Sequence, residues 1–240
     1  MSRSKCDKCG ARRGLAVYDN GEYCHACHHS TTTKSLTKRL DIQTNKKELE
    51  MPRDDFSRIP DEAREWIHKY RLYDERAYFW SDKYKRIVFP QYMGDDRDGM
   101  LMVAAWMRSV SEQPKWLFVG DKNVIFKYDY VVPDEDYDQK WRGGPVRDVC
   151  LTEDVVSAIK VSSVMDSIAL GGTVLKENQH DYIRNNGYTK VYIFLDPDEA
   201  GQKGAWQIRK QLALTAECIM IRGNRDPKEY SLDELRELLL

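Results

Sequence analysis

The sequence predicts an α/β chain led by a small β module, and two observations carry that prediction. Two Cys-x-x-Cys pairs, Cys6/Cys9 and Cys24/Cys27, stand fourteen residues apart near the start. From Val149 onward, apolar runs of strand length alternate with helical stretches and short connections, the pattern of a parallel sheet with helices on both faces. A mixed α+β region of short apolar runs lies between them. At 240 residues and 41% hydrophobic content the chain has enough apolar side chains for one full domain and a smaller module. Its 38 basic and 39 acidic residues nearly cancel, so any nucleic-acid surface must come from local segregation of charge. No apolar run approaches the ~18 residues of a membrane span, and Met1-Ser-Arg-Ser-Lys5 lacks a signal-peptide core. The expectation is a cytoplasmic protein, or one of the host cytoplasm if phage-encoded.

Residues 1–32 are expected to form a zinc ribbon. Each Cys-x-x-Cys knuckle offers two thiolates, and a hairpin through Asp19-Asn20-Gly21 would bring Cys6, Cys9, Cys24 and Cys27 around one ion. So short a module buries little core, which leaves zinc to supply much of its folding free energy. His25, His28 and His29 read as surface residues beside the metal, one of them able to replace a cysteine. Arg12, Arg13 and Tyr18 suit nucleic acid or a solvated face equally. The other two cysteines, Cys150 and Cys218, sit in apolar stretches and read as small buried hydrophobes. Residues 33–57, polar and charged, have the composition of a linker.

Within residues 58–147 a helix is expected over Asp61–Tyr70, capped by Asp61 and carrying Trp66, Ile67 and Tyr70 on one face. Strands follow at Arg86–Pro90, Met100–Arg108, Lys115–Val119 and Val124–Tyr128, in a largely antiparallel subdomain. Arg108, Lys115, Lys122 and Lys127 alternate there with aromatics. Such a surface holds bases and phosphates, although exposed strand lysines are equally common. Residues 148–240 then give strands at Val149–Leu151, Ser167–Leu170, Val191–Leu195 and Glu217–Ile221. Helices are expected over Asp154–Met165, Val174–Asn185 and Glu199–Leu214, with a capped amphipathic helix over Ser231–Leu240. That last helix is expected to pack on its own domain or to meet a partner.

Chemistry in such sheets gathers at the carboxyl ends of the strands. Here those ends read Thr152-Glu153-Asp154, Gly171-Gly172, Asp196-Pro197-Asp198 and Arg225-Asp226-Pro227. Asp196 and Asp198 alone suit a divalent metal or the cap of the following helix. The constellation of Glu153, the Gly-Gly pair, Asp196-x-Asp198 before Glu199-Ala200-Gly201, and Arg225-Asp226-Pro227 resembles the TOPRIM domain. With a zinc ribbon ahead of it, the order resembles the TOPRIM-type DNA primases, in particular the primase part of T7-like phage primase-helicases.

The resemblance implies a DNA-dependent RNA polymerase that makes short RNA primers on single-stranded DNA from ribonucleoside triphosphates. Catalytic magnesium, with manganese as an alternative, would be held by Asp196 and Asp198. Asp226 is a candidate further ligand, and Glu153 either a ligand or the general base. Arg108, Lys115, Lys122 and Lys127 would hold template, primer or nucleotide, while the ribbon would choose the template sequence. Asp154 stands where the family often has glycine and Ser157 where it often has aspartate, so neither is expected to hold metal. The histidine expected just before the third cysteine is replaced by Tyr23, so template preference is expected to differ. No Gly-x-x-x-x-Gly-Lys-Ser/Thr loop occurs, so the replicative helicase is expected on a separate chain, with a DNA polymerase as a further candidate partner. The alternative is a RecR-like zinc/TOPRIM recombination mediator that binds DNA without synthesis. A TOPRIM nuclease is a third reading.

Overall fold

A computed structural model describes residues 2–11, 15–18, 21–24, 26, 27, 30, 31, 49–53, 58–72, 75–93, 101–129 and 148–240. Expectations for Arg12, Arg13, Asp19, Asn20, His25, His28, His29 and most of the 33–57 linker lie outside the described residues. The chain forms two compact units, Met1–Leu49 and Glu50–Leu240.

In the first unit four short strands, β1 (Ser2–Ser4), β2 (Leu15–Tyr18), β3 (Gly21–Cys24) and β4 (Ser30–Thr31), make an antiparallel sheet in that order. The register pairs Leu15 with both Ser4 and Cys24, so Cys24 ends β3 across the sheet from the exit of β1 toward Cys6. The turn after Cys6 is closed by Gly10 N–H donating to the Cys6 carbonyl at 2.8 Å.

The second unit opens with α1 (Asp61–Lys69), which buries Ala63 and Ile67. Pro60 is its N-cap and Asp61 its first helical residue, paired with Arg64 at 3.3 Å; the expected Asp61 cap is therefore displaced by one residue. An antiparallel sheet follows, in the order β5 (Phe79–Ser81), β6 (Arg86–Met93), β7 (Leu101–Arg108) and β8 (Trp116–Gly120). Pro90 lies beyond the pairing with β5, which spans only Arg86–Val88, and stands opposite Ala105 of β7. The strand β5 escaped the sequence reading because its three residues are all buried and show no alternation.

The C-terminal sheet has five strands in the order β13-β12-β10-β11-β9. Four are parallel neighbours, β10 (Asp148–Thr152), β11 (Ser167–Ala169), β12 (Lys190–Ile193) and β13 (Glu217–Met220). The fifth is β9 (Phe126–Tyr128), antiparallel to β11. Sequence placed that strand in the middle subdomain, but its backbone completes the C-terminal sheet.

Helices cover both faces. Val149, Leu151, Val191 and Ile193 pack under α3 (Glu177–Asn185) and α4 (Glu199–Leu212). On the other face Cys150 and Phe194 meet α2 (Val155–Ser162) and α5 (Leu232–Leu239). This period-two split follows from the pleat. Helix α2 also packs through Val155, Val156 and Ile159 against Ile67, Phe89 and Ala104, so one core joins α1, the antiparallel sheet and the C-terminal sheet. As expected, α5 packs on its own domain, through Leu235 and Leu239, and its start carries a capping box between Ser231 and Glu234. No described helix is long and apolar enough to cross a membrane.

Candidate active site and metal centres

Three parallel strands deliver the acidic residues to one edge. Strand β10 ends at Thr152, so Glu153 and Asp154 emerge together. Both Gly171 and Gly172 N–H groups donate to the Glu153 carbonyl, at 2.8 and 3.1 Å, and Gly172 needs its φ of 146° to do so. This turn fixes Glu153 over the sheet. Its carboxylate accepts from Asp196 N–H at 3.3 Å, linking β10 to the end of β12.

Asp196 is half-buried, and its Oδ1 has no hydrogen-bond partner among the described residues. Burial pushes its carboxyl up to about 7; Lys228 opposes the rise, while Asp226, Glu153 and Asp154 add to it. Burial, with the charges of Asp198 and Asp154, likewise raises Glu153. An orphaned, half-buried oxygen amid like charges fits a divalent cation, which would satisfy the oxygen and stabilise the ionised form. Asp198 is exposed and caps α4, accepting from Gly201 N–H at 2.7 Å. One carboxylate oxygen is thus committed to the helix, and the cap reading and the site reading are compatible.

Gly201 is required here by contact. A Cβ at that position would stand 2.1 Å from the Asp196 carbonyl oxygen. Gly201→Ala is expected to cost about 3 kcal/mol, read as a lower urea midpoint, and to displace Asp196; a midpoint equal to that of the native protein would overturn the packing argument.

Lys228, which the sequence reading passed over, sits in this cluster. Its Nζ lies 3.0 Å from Asp154 Oδ2 and 2.8 Å from Asp226 Oδ2. Asp154 Oδ1 meanwhile accepts from Val156 and Ser157 N–H as the cap of α2, and Ser157 Oγ donates to Oδ2. Asp154 is thereby spent on the helix and the lysine. The available signal was charge balance, since several carboxylates at adjoining strand ends need a counter-cation.

A cavity of about 250 Å³ lies over these residues, lined by Trp106, Trp116, Glu153, Asp154, Gly171 and Asp196. A second, about 290 Å³, lies beyond Asp196 and Pro197 toward Trp206 and Arg222. Arg108 Nη1 is buried without a partner among the described residues, its guanidinium 5.5 Å from the ring centres of both Trp66 and Trp116. Lys122 lines a neighbouring cavity of about 190 Å³ that shares Trp106 and Gly171 with the cleft. Lys115 is exposed, with its backbone carbonyl accepting from Arg86.

Lys127 lies elsewhere. It is on β9, pairs with Asp129 and lies 3.8 Å from Asp166, the residue that precedes β11. Burial works against its charge, but Asp129, together with Tyr188 and Tyr182, prevails and raises its pKa. The carboxylates occupy the opposite end of the parallel strands.

In the first unit, Cys6, Cys9, Cys24 and Cys27 bring four sulfurs within 4.8 Å of one another, the one such ligand cluster among the described residues. Cys6 and Cys27 sulfurs are 3.8 Å apart, and those of Cys9 and Cys24 3.6 Å. A tetrahedron of thiolates at the zinc–sulfur distance has edges of about 3.8 Å. The spacing excludes disulfides, whose sulfurs lie about 2 Å apart. Backbone N–H groups of Cys27 and Ala26 pull the Cys24 thiol down to about 6.

Residues 152–231 match a family model described as Toprim-like. No curated protein matches the chain. Among solved structures it is similar to the zinc-binding and RNA polymerase domains of the Aquifex aeolicus primase, with 23% identity and a TM-score of 0.45 over 64% of this chain and 39% of that one. It is similar to the RNA polymerase domain of Mycobacterium tuberculosis primase at 16% identity and a TM-score of 0.45, over 64% of this chain and 54% of that one. For the primase fragment of the bacteriophage T7 primase-helicase the figures are 14% and 0.44, over 100% and 97%. The chain thus spans less than two thirds of the Aquifex and Mycobacterium structures. Acidic strand ends on a parallel sheet, within the span of the family match, make residues 152–231 a Toprim-like domain.

Proposed function

We propose that the chain is a DNA primase, a nucleotidyltransferase that joins ribonucleotides into short RNA primers on single-stranded DNA in the cytoplasm. The observation that carries this reading is the orphaned Asp196 oxygen beside Glu153 at the strand ends of a Toprim-like domain. The four-cysteine cluster in the first unit supports it. Asp196, Asp198 and Glu153 would hold magnesium, or manganese in its place, with Asp226 as a further ligand. Magnesium bound there would lower the pKa of the attacking 3′-hydroxyl and neutralise the departing pyrophosphate. Glu153, its pKa raised by burial, suits a proton-accepting role at the same edge.

The chain's own cations position the reactants. Arg108, its guanidinium beside two indoles and its Nη1 unmatched among the described residues, would bind a phosphate, and Lys122 would hold the strand leaving the cleft. Trp106 and Trp116 offer faces on which bases stack. Lys115 stays a template contact in this reading, whereas Lys127 serves the sheet through its ion pairs. Zinc on the four thiolates would order the ribbon for template choice. The helicase would be a separate chain, with a DNA polymerase receiving the primer.

Incubation with single-stranded DNA, ribonucleoside triphosphates and magnesium is expected to yield short RNA. Asp198→Ala should reduce the yield about a hundredfold or more, the weight of a metal contact worth several kcal/mol. Undiminished synthesis by that variant would remove Asp198 from the mechanism, and absence of RNA from the native protein on every template would end the primase reading.

A further inference from the structure

Outside the acidic cleft, a cavity of about 220 Å³ opens between the end of α1, α2 and the segment leading into α5. Its lining includes Lys69, Arg71, Lys160, Arg225 and Lys228, with Glu229 and Glu234. Two of these cations are matched within the fold. Arg225 pairs with Glu234 at 2.7 Å, and Lys228 with Asp154 and Asp226. Among the described residues, Lys69, Arg71 and Lys160 have no carboxylate partner.

Lys160 is the telling member. It is only 4% exposed, it lies on a helix whose other buried residues are Val, Ala, Ile and Ser157, and it shares the lining of the cavity with Arg71. Burial first, and the Arg71 charge second, push that amine below its ordinary pKa. A buried cation and a second cation lining one cavity repel each other when the site is empty and favour an anion between them.

The backbone at Arg71 points the same way. Arg71 has φ 51°, at the residue after the α1 cap, with its N–H donating to His68 O at 3.0 Å and Leu72 N–H donating to Ile67 O at 3.3 Å. This is a Schellman turn, and its left-handed position ordinarily belongs to glycine. A non-glycine residue held there is strained, and the strain is retained where the side chain has work to do. Favourable placement of cations at helix C-termini accounts for Lys69 on α1, but not for an arginine in the left-handed position.

We infer that this cavity is an anion site for a phosphoryl group bearing two or more negative charges, a phosphomonoester or a pyrophosphate. Arg71 and Lys160 hold it, and Lys69 stands at the mouth. Among the described residues, three cations without a carboxylate partner, set against the one unpaired carboxylate of Glu229 in the same lining, leave an excess of two charges, more than the single charge of a phosphodiester. The volume lies below the ~300 Å³ at which pockets for drug-sized ligands begin, enough for phosphates with water but not for a nucleobase as well. Lys228 forms the wall between this cavity and the acidic cleft, since it lines one and bonds Asp154, which lines the other. The site does not depend on primer synthesis.

The test is calorimetric titration of the full-length, zinc-loaded protein in magnesium-free buffer, so that the acidic cleft holds no metal to bind phosphates. Pyrophosphate, inorganic phosphate, ATP, and a short oligodeoxythymidine with a 5′-hydroxyl or a 5′-phosphate are the probes. Saturable pyrophosphate binding is expected, weakened about tenfold or more in Arg71→Gly and in Lys160→Met, the weight of one charge-assisted hydrogen bond. Glycine adopts φ 51° freely, so Arg71→Gly should melt no lower than the native protein and keeps the test decisive if Lys160→Met misfolds. Tighter binding of ATP than of pyrophosphate, lost in Arg71→Gly, would assign the phosphoryl group to a nucleotide. A 5′-phosphate preference lost in the same variant would assign it to a strand end. Absence of pyrophosphate binding, equal affinity in Arg71→Gly, or equal binding of the two oligonucleotides with no pyrophosphate binding would overturn the inference.

Discussion

Asp196→Asn is expected to abolish magnesium-dependent nucleotide incorporation and, in the same molecule, to raise the melting temperature of the second unit without magnesium at pH 8. The sign follows from the direction of the shift. Burial raises the Asp196 carboxyl from 3.8 to about 7 in the folded chain. Such a group contributes stability in its protonated form, fully present below pH 3.8 and lost as pH rises through about 7. At pH 8 the native protein therefore holds an unfavourable half-buried charge that asparagine does not carry. After discounting for solvent screening around a half-exposed group, the difference is about 1–2 kcal/mol, or about 2–8 °C for a unit of this size. Below pH 4 the two proteins should melt together. Magnesium should raise the melting temperature of the native protein and leave that of the variant nearly unchanged, because an ion that binds only the folded state stabilises it by mass action. Differential scanning calorimetry at pH 4 and pH 8, with and without magnesium, checks all of this. A variant that melts lower than the native protein at pH 8 in metal-free buffer would show that Asp196 supports the fold rather than straining it.

This tension between site and stability explains what could be read from the sequence. Continuous apolar runs of strand length and short connections were enough to place β10, β11, β12 and β13, because a strand covered by helices on both faces must be apolar on both. The Asp196-Pro197-Asp198 turn was legible as two alternatives, a helix cap and a metal site: Asp198 makes the cap of α4, while Asp196 keeps the unmatched oxygen on which the metal proposal rests. Partnerships across long sequence distances were not legible. Lys228 meets Asp154 from 74 residues away, and no local pattern announces that meeting. The same limit hid β9. Phe126–Tyr128 follows the antiparallel strands closely in sequence, yet its ladder partner is β11. With that pairing Lys127 becomes a neighbour of Asp166 and leaves the company of Arg108. Alternation of lysine with aromatics told which residues share a strand, not which sheet the strand would join.

Removing metal from the four-cysteine cluster is expected to unfold the first unit while the second stays folded. The strands of the first unit are two to four residues long, and the core residues described in it are Cys6 and Cys24 themselves. A module of strands this short has little room for a core to offset the entropy of ordering the chain, and zinc on the four thiolates, contributing about 10–16 kcal/mol, would do so. The second unit has four separate apolar clusters and no such debt. Treatment with a strong chelator at neutral pH should therefore erase amide protection in residues 2–31 by hydrogen exchange and leave that of β10 and β12 intact. Cys24→Ser should do the same without chelator, because it removes the thiol whose pKa of about 6 makes it a ready thiolate at neutral pH. Template-dependent synthesis should fall in both cases, while magnesium-dependent stabilisation through Asp196 persists. Protection that survives complete zinc removal would show that the β1–β4 sheet folds on its own hydrogen bonds, and the cysteines would then need another role.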